Sequence, residues 1–181
     1  MYLITNLGNF PKETRQSRLC ENNRFASGGY SRNLTHAKLT VRLRGELDAQ
    51  GAQLLLLVQG TAGKVTANYV SSAYVLSAQP IKITPDWSEQ SLTLTPDPSQ
   101  WTCIGARHNL TQVYGNGDIA KLLADVDFDL IFVLFPINVV PLNADPSKRD
   151  QLWVGRDYTA DPAYLPNGLL MFDTVTIDYP E

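Results

Sequence analysis

The stretch from Ile81 to Thr95 reads as two short alternating strands with one tryptophan, Trp87, between them, and Gly168 to Ile177 reads as another that carries a single acid, Asp173. A period of two sends successive side chains to opposite faces of a sheet, so each such segment covers a core with one face and meets water with the other. Lys38 to Arg44 repeats the pattern: Leu39, Val41 and Leu43 point one way, Lys38, Thr40, Arg42 and Arg44 the other. That strand predicts one buried face and one basic surface. Together these segments point to an antiparallel sandwich.

Other elements fit around them. Gln53 to Gln59 is apolar on both faces and reads as a central strand, and Asp129 to Phe135 is a further strand ended by Pro136. Val65 to Ser77, rich in Tyr, Val, Thr and Ser, should hold one more. Thr95-Pro-Asp-Pro98 is a break, since two prolines cannot continue a ladder. Asp118 can cap a helix to Val126, whose Ile119, Leu122, Leu123 and Val126 fall on one side. Residues 1–36 look irregular, with short apolar pieces at Tyr2–Ile4 and Phe25. Two long loops, 100–117 and 140–168, complete a single domain over residues 1–181: an all-β, two-sheet antiparallel β-sandwich with one short helix.

A chain of 181 residues can bury a substantial core. Its formal net charge of −3 and pI of 5.3 give no general drive toward nucleic acid or an anionic membrane. No apolar run is long enough to span a bilayer as a helix. Residues 1–20 carry Lys12, Glu13, Arg15 and Arg18 and no signal-peptide core. The expectation is an intracellular chain, or a piece of an extracellular protein whose signal lies elsewhere or was removed. Cys20 and Cys103 lack metal-ligand spacing and read as buried thiols ahead of a disulfide.

Four segments resemble the galactose-binding-like jelly rolls, in particular the carbohydrate-binding modules carried in tandem by cellulases and xylanases. They are Leu39-Thr-Val-Arg-Leu-Arg-Gly45 with the strand at Leu54, the Pro80–Leu94 stretch with its Trp, the strand Leu130–Leu134, and Leu170-Met-Phe-Asp-Thr-Val175, which is similar to the family's closing strand. The resemblance implies a jelly roll, a carbohydrate ligand and a structural calcium. Calcium would be held by Asp173 with oxygens near Asn6 and Asn9, although Pro11 stands where the family places an acid.

The residues allow the same readings with rivals beside them. Alternation puts Leu169, Met171, Asp173, Val175 and Ile177 on one face. A carboxylate in a core must be paired, hydrogen-bonded or metal-bound. Asp173 is thus either a calcium ligand or an acid satisfied by an arginine or backbone amides. Sugars stack on flat rings while amides, acids and guanidinium groups bind their hydroxyls. Tyr69, Tyr74, Trp101, Tyr114, Trp153 and Tyr158 could be such platforms, with Arg107, Arg42, Arg44, Gln59 and Asn68 as polar partners. Each ring could instead pack a loop onto the sandwich. Trp87, entering a strand, reads as a core anchor. No nucleophile signature surrounds Cys103 and His108. An enzyme acting on polysaccharide is the weakest expectation, because it needs two carboxylates across a cleft and some pair among 18 acids always falls near that separation.

The leading expectation is a non-catalytic carbohydrate-binding module whose site is Tyr69, Tyr74, Trp101, Arg107, Tyr114 and Trp153. Its rival is a structural or assembly module that meets protein through the basic face of Lys38, Arg42 and Arg44 or through a loop patch. Exposed aromatics in one flat patch would favour the rival; a groove lined with aromatics and amides would favour sugar.

Overall fold

The structure, a computed structural model, describes residues 2–60 except 10–29, then 72–106, 118–126, 129–142, 155 and 157–181, with residues 2–9, 105–106 and 129 described by their backbone alone. In chain order the strands are β1 (Tyr2–Asn9), β2 (Lys38–Asp48), β3 (Gln53–Gly60), β4 (Ser72–Val75), β5 (Ser88–Thr93), β6 (Thr102–Ala106), β7 (Asp129–Phe135), β8 (Val139–Pro141), β9 (Tyr158–Ala160) and β10 (Asn167–Asp178). Among the described residues, one α-helix, α1 (Ile119–Ala124), precedes β7. All strand pairs are antiparallel. They form a five-stranded sheet in the order β1-β7-β3-β4-β6, a three-stranded sheet in the order β10-β2-β5, and the small pair β8-β9.

The two larger sheets close over one core. β2 turns Leu39, Val41 and Leu43 inward, as its alternation requires, and they meet Leu54, Leu56 and Val58 of β3 and Leu130, Phe132 and Leu134 of β7. The alternate residues of the same strands, Leu55, Leu57, Ile131 and Val133, are buried with Val75 in a second cluster on the opposite face. Burial on both faces is why β3 and β7 are continuous apolar runs rather than alternating ones. Each such side chain contributes about 1.5–3 kcal/mol over an exposed one.

Asp118 caps α1 by accepting from the backbone N–H groups of Ala120 and Lys121. Ile119, Leu122, Leu123 and Val126 are all buried in the main core. The segment before β2 is tied to the helix and to the end of β5, with Leu34 N–H donating to Leu123 O and His36 N–H to Leu94 O, each at 2.8 Å.

Several sequence expectations need correcting. Tyr2–Asn9 is a strand, paired with β7, where an irregular segment is expected. β6 occupies the start of the 100–117 loop, β8 overlaps the beginning of the 140–168 stretch and β9 lies within it. Ile81 makes a lone bridge to Leu54 rather than a strand. Among the described residues no helix is long and apolar enough to cross a membrane.

β10 differs most from its expected geometry. Phe172 pairs with Leu43 and Thr174 with Arg42, so Asp173 is an extra residue in a β-bulge. The bulge changes the phase of the strand. Leu170 and Phe172 face the core before it, Val175 and Ile177 after it. Phe172 stacks on Phe132 with ring centroids 5.1 Å apart. Leu169 and Met171, expected on the same face as Val175, are instead 62 % and 39 % exposed.

Candidate functional site on the outer face of the three-stranded sheet

The inward set of β2 leaves Lys38, Thr40, Arg42 and Arg44 on the outside. On β5, Leu92 is buried while Glu89, Ser91 and Thr93 are exposed. Counting back by two from Glu89 puts Trp87 outside as well, beside Arg44. The structure places it there: Trp87 is 37 % exposed, and the guanidinium carbons of Arg42 and Arg44 each lie over its ring, 4.9 Å from the centroid. Two cations on one indole contribute about 0.5–1 kcal/mol each at an exposed site.

The two arginines differ in their neighbours. Arg42 stands opposite Glu89 on β5 and forms an ion pair with Asp173 from the β10 bulge. Arg44 stands opposite Met171, whose Sδ accepts from Arg44 Nη2 at 3.6 Å, and has Trp87 on its other side. No carboxylate among the described residues pairs with Arg44. Beside it runs a shallow open groove of about 310 Å3, lined by Arg44, Gly45, Glu46, Pro85, Leu169 and Met171. Gly45 is needed at its floor, because a Cβ there would stand 2.5 Å from Leu169 O and 2.9 Å from Leu170 Cδ1.

The expected ligand residues are not gathered here. Trp101 is 6 % exposed, and its indole N–H donates to Thr95 O at 2.8 Å, so it anchors the turn after Pro96 instead of offering a platform. Tyr74 is 7 % exposed and belongs to the main core. Both rings are corrected from binding surface to packing, since a ring enclosed by core side chains has no face for a sugar. Tyr69, Arg107, Tyr114 and Trp153 lie outside the described residues, as does Cys20. Cys103 carries a free thiol. Gln59 is buried, and Tyr158 is half-buried in β9.

Of the expected calcium ligands, Asp173 is the one whose side chain the structure describes. Asp173 projects from the outer face and is held by Arg42, which a calcium ion would have to displace. Asn6 and Asn9 belong to β1 in the other sheet, and their side chains lie outside what is described. Among the described residues, no group of three His, Cys, Asp or Glu side chains converges as a metal site.

Trp87 is an exposed ring that the sequence reading assigned to the core, and the signal for its exposure was present. Leu92 and Leu94 fix the inward phase of β5, which makes Trp87 outward by simple alternation. The Arg42 and Arg44 pair on the neighbouring strand then supplies its partners. In comparisons with family models, curated proteins and solved structures, the chain has no match.

Proposed function

We propose that this chain is a non-catalytic module that recognises another protein through the outer face of the β10-β2-β5 sheet, on a frame of the galactose-binding-like jelly-roll kind. One observation carries the reading: Trp87, Arg42, Arg44, Met171 and Leu169 share one exposed face. Trp, Arg and Met are enriched where proteins bind proteins, and Trp and Arg dominate the energetics of such contacts. The jelly-roll label draws support from the crossings between sheets at β2/β3, β4/β5 and β5/β6.

The carbohydrate reading is weaker on this geometry. Among the described residues, the groove is lined by aliphatic and charged side chains, without an amide or a stacking ring. The guanidinium groups of Arg42 and Arg44 compete for the indole face that a pyranose would need.

The reading is tested by selecting random displayed linear peptides on the wild-type protein and measuring the winners against Trp87→Ala. A panel of soluble polysaccharides is run in parallel as thermal melts. Peptides that bind the wild type about thirtyfold more tightly than the variant are expected, as for a central hot-spot residue. An empty selection together with a melting temperature raised by one glycan class would restore the carbohydrate reading.

A further inference from the structure

Arg42 and Arg44 share one indole but differ in charge balance. Register explains the difference. Arg42 falls between Glu89 and the bulged Asp173, whereas Arg44 falls between Trp87 and Met171. Its guanidinium keeps a full charge at the mouth of the groove. Its side-chain contacts, an indole and a thioether sulfur, do not neutralise it. Arg42 shows what Arg44 lacks among the described residues: a single carboxylate.

We propose that the groove beside Arg44 receives one carboxylate from an extended segment of a partner protein, an Asp or Glu flanked by an apolar residue. The inference rests on the protein-recognition reading and names the chemistry of the partner. Leu169, Met171 and Pro85 supply the apolar wall against which the flanking residue packs. Glu46 lines the same groove two residues along β2 from Arg44, roughly 7 Å away by the rise of a strand. A second negative charge on the ligand would meet Glu46, so the site selects one carboxylate and disfavours a polyanion.

An extended protein segment fits better than a small molecule because the groove borders β10, an edge strand among the described residues. β10 pairs with β2 alone among the described strands, leaving its other edge for an added strand. The bulge at Asp173 divides that edge, so a strand added beside the groove pairs regularly over the Asn167–Phe172 half.

Peptides selected on the wild type are resynthesised with each acid replaced by the matching amide. Both forms are measured against wild type, Arg44→Gln and Arg44→Lys, with melts confirming that each variant is folded. The expected winners carry Asp or Glu beside an apolar residue. The amide change and Arg44→Gln should each weaken binding about tenfold or more, the size of one charge-assisted hydrogen bond. Combined, they should add little further, because both remove the same contact. Arg44→Lys should retain part of the affinity. Peptides that need Trp87 but lack an acid, or that bind Arg44→Gln unchanged, would overturn the carboxylate assignment and leave protein recognition standing. An absence of Trp87-dependent peptides would overturn both.

Discussion

Asp173 lies on the outside because β10 gains one residue at that point, and the extra residue is the one that Arg42 can reach. The acid was legible in the sequence as an anomaly within an apolar alternation. Its environment was not, since a bulge changes which face a residue occupies without changing its neighbours in sequence. The pair is about two-fifths exposed on each side, and exposed ion pairs contribute at most about 1 kcal/mol. Asp173→Asn should therefore lower the unfolding free energy by no more than about 1 kcal/mol in urea titrations. A loss of several kcal/mol would mean the carboxylate is buried or metal-bound after all. Tyr179 gives a pH-dependent counterpart. Its hydroxyl donates to Ser31 O at 3.0 Å. Burial, and then the neighbouring Tyr30, raise its pKa above the ordinary phenol value. The folded chain thus holds that proton longer than the unfolded chain does. The stabilisation is complete below pH about 10 and fades as pH rises through the raised folded value. In melts across the alkaline range, Tyr179→Phe should be the less stable protein near neutrality. The gap should then close above pH about 10; a gap independent of pH would rule the linkage out.

At the scale of elements, alternation identified β2, continuous apolar runs identified the buried β3 and β7, and capping identified α1. What it could not supply was phase. Leu169 to Phe172 is a run of four apolar residues, which fits either face, and the choice is made by pairing with β2. The inward apolar positions 170, 172, 175 and 177 contain one step of three, and that step marks the bulge. β6 was hidden for a different reason: its Thr102–Ala106 sequence is short and mixed, and it forms because β4 offers it an edge. The change of phase yields a direct test. Leu169→Asp should alter stability by less than about 0.5 kcal/mol, as surface changes do. Val175→Asp, which puts a charge against the core, should cost at least about 2 kcal/mol. Equal effects in denaturant titrations would mean that β10 runs without a bulge and turns both residues to one face.

For the whole molecule, the all-β class and the two-sheet arrangement follow from the chain's apolar patterning, but the location of its chemistry does not. The rings expected to bind included Trp101 and Tyr74, which face a core, and the ring set aside as core, Trp87, lies on the surface. A lone tryptophan satisfies either role; the inward phase that Leu92 and Leu94 set along β5 separates them. The described surface is mixed in charge, with Arg42 paired to Asp173, Arg44 without a carboxylate partner among the described residues and Glu46 beside the groove, and this suits a specific partner more than a general polyanion. The most direct measurement is the affinity of a selected peptide for wild type and for Trp87→Ala, both shown by melting to be folded. Affinity about thirtyfold weaker in the variant is the result this account predicts. Equal affinity would contradict it, because binding would then lie elsewhere than on the β10-β2-β5 face.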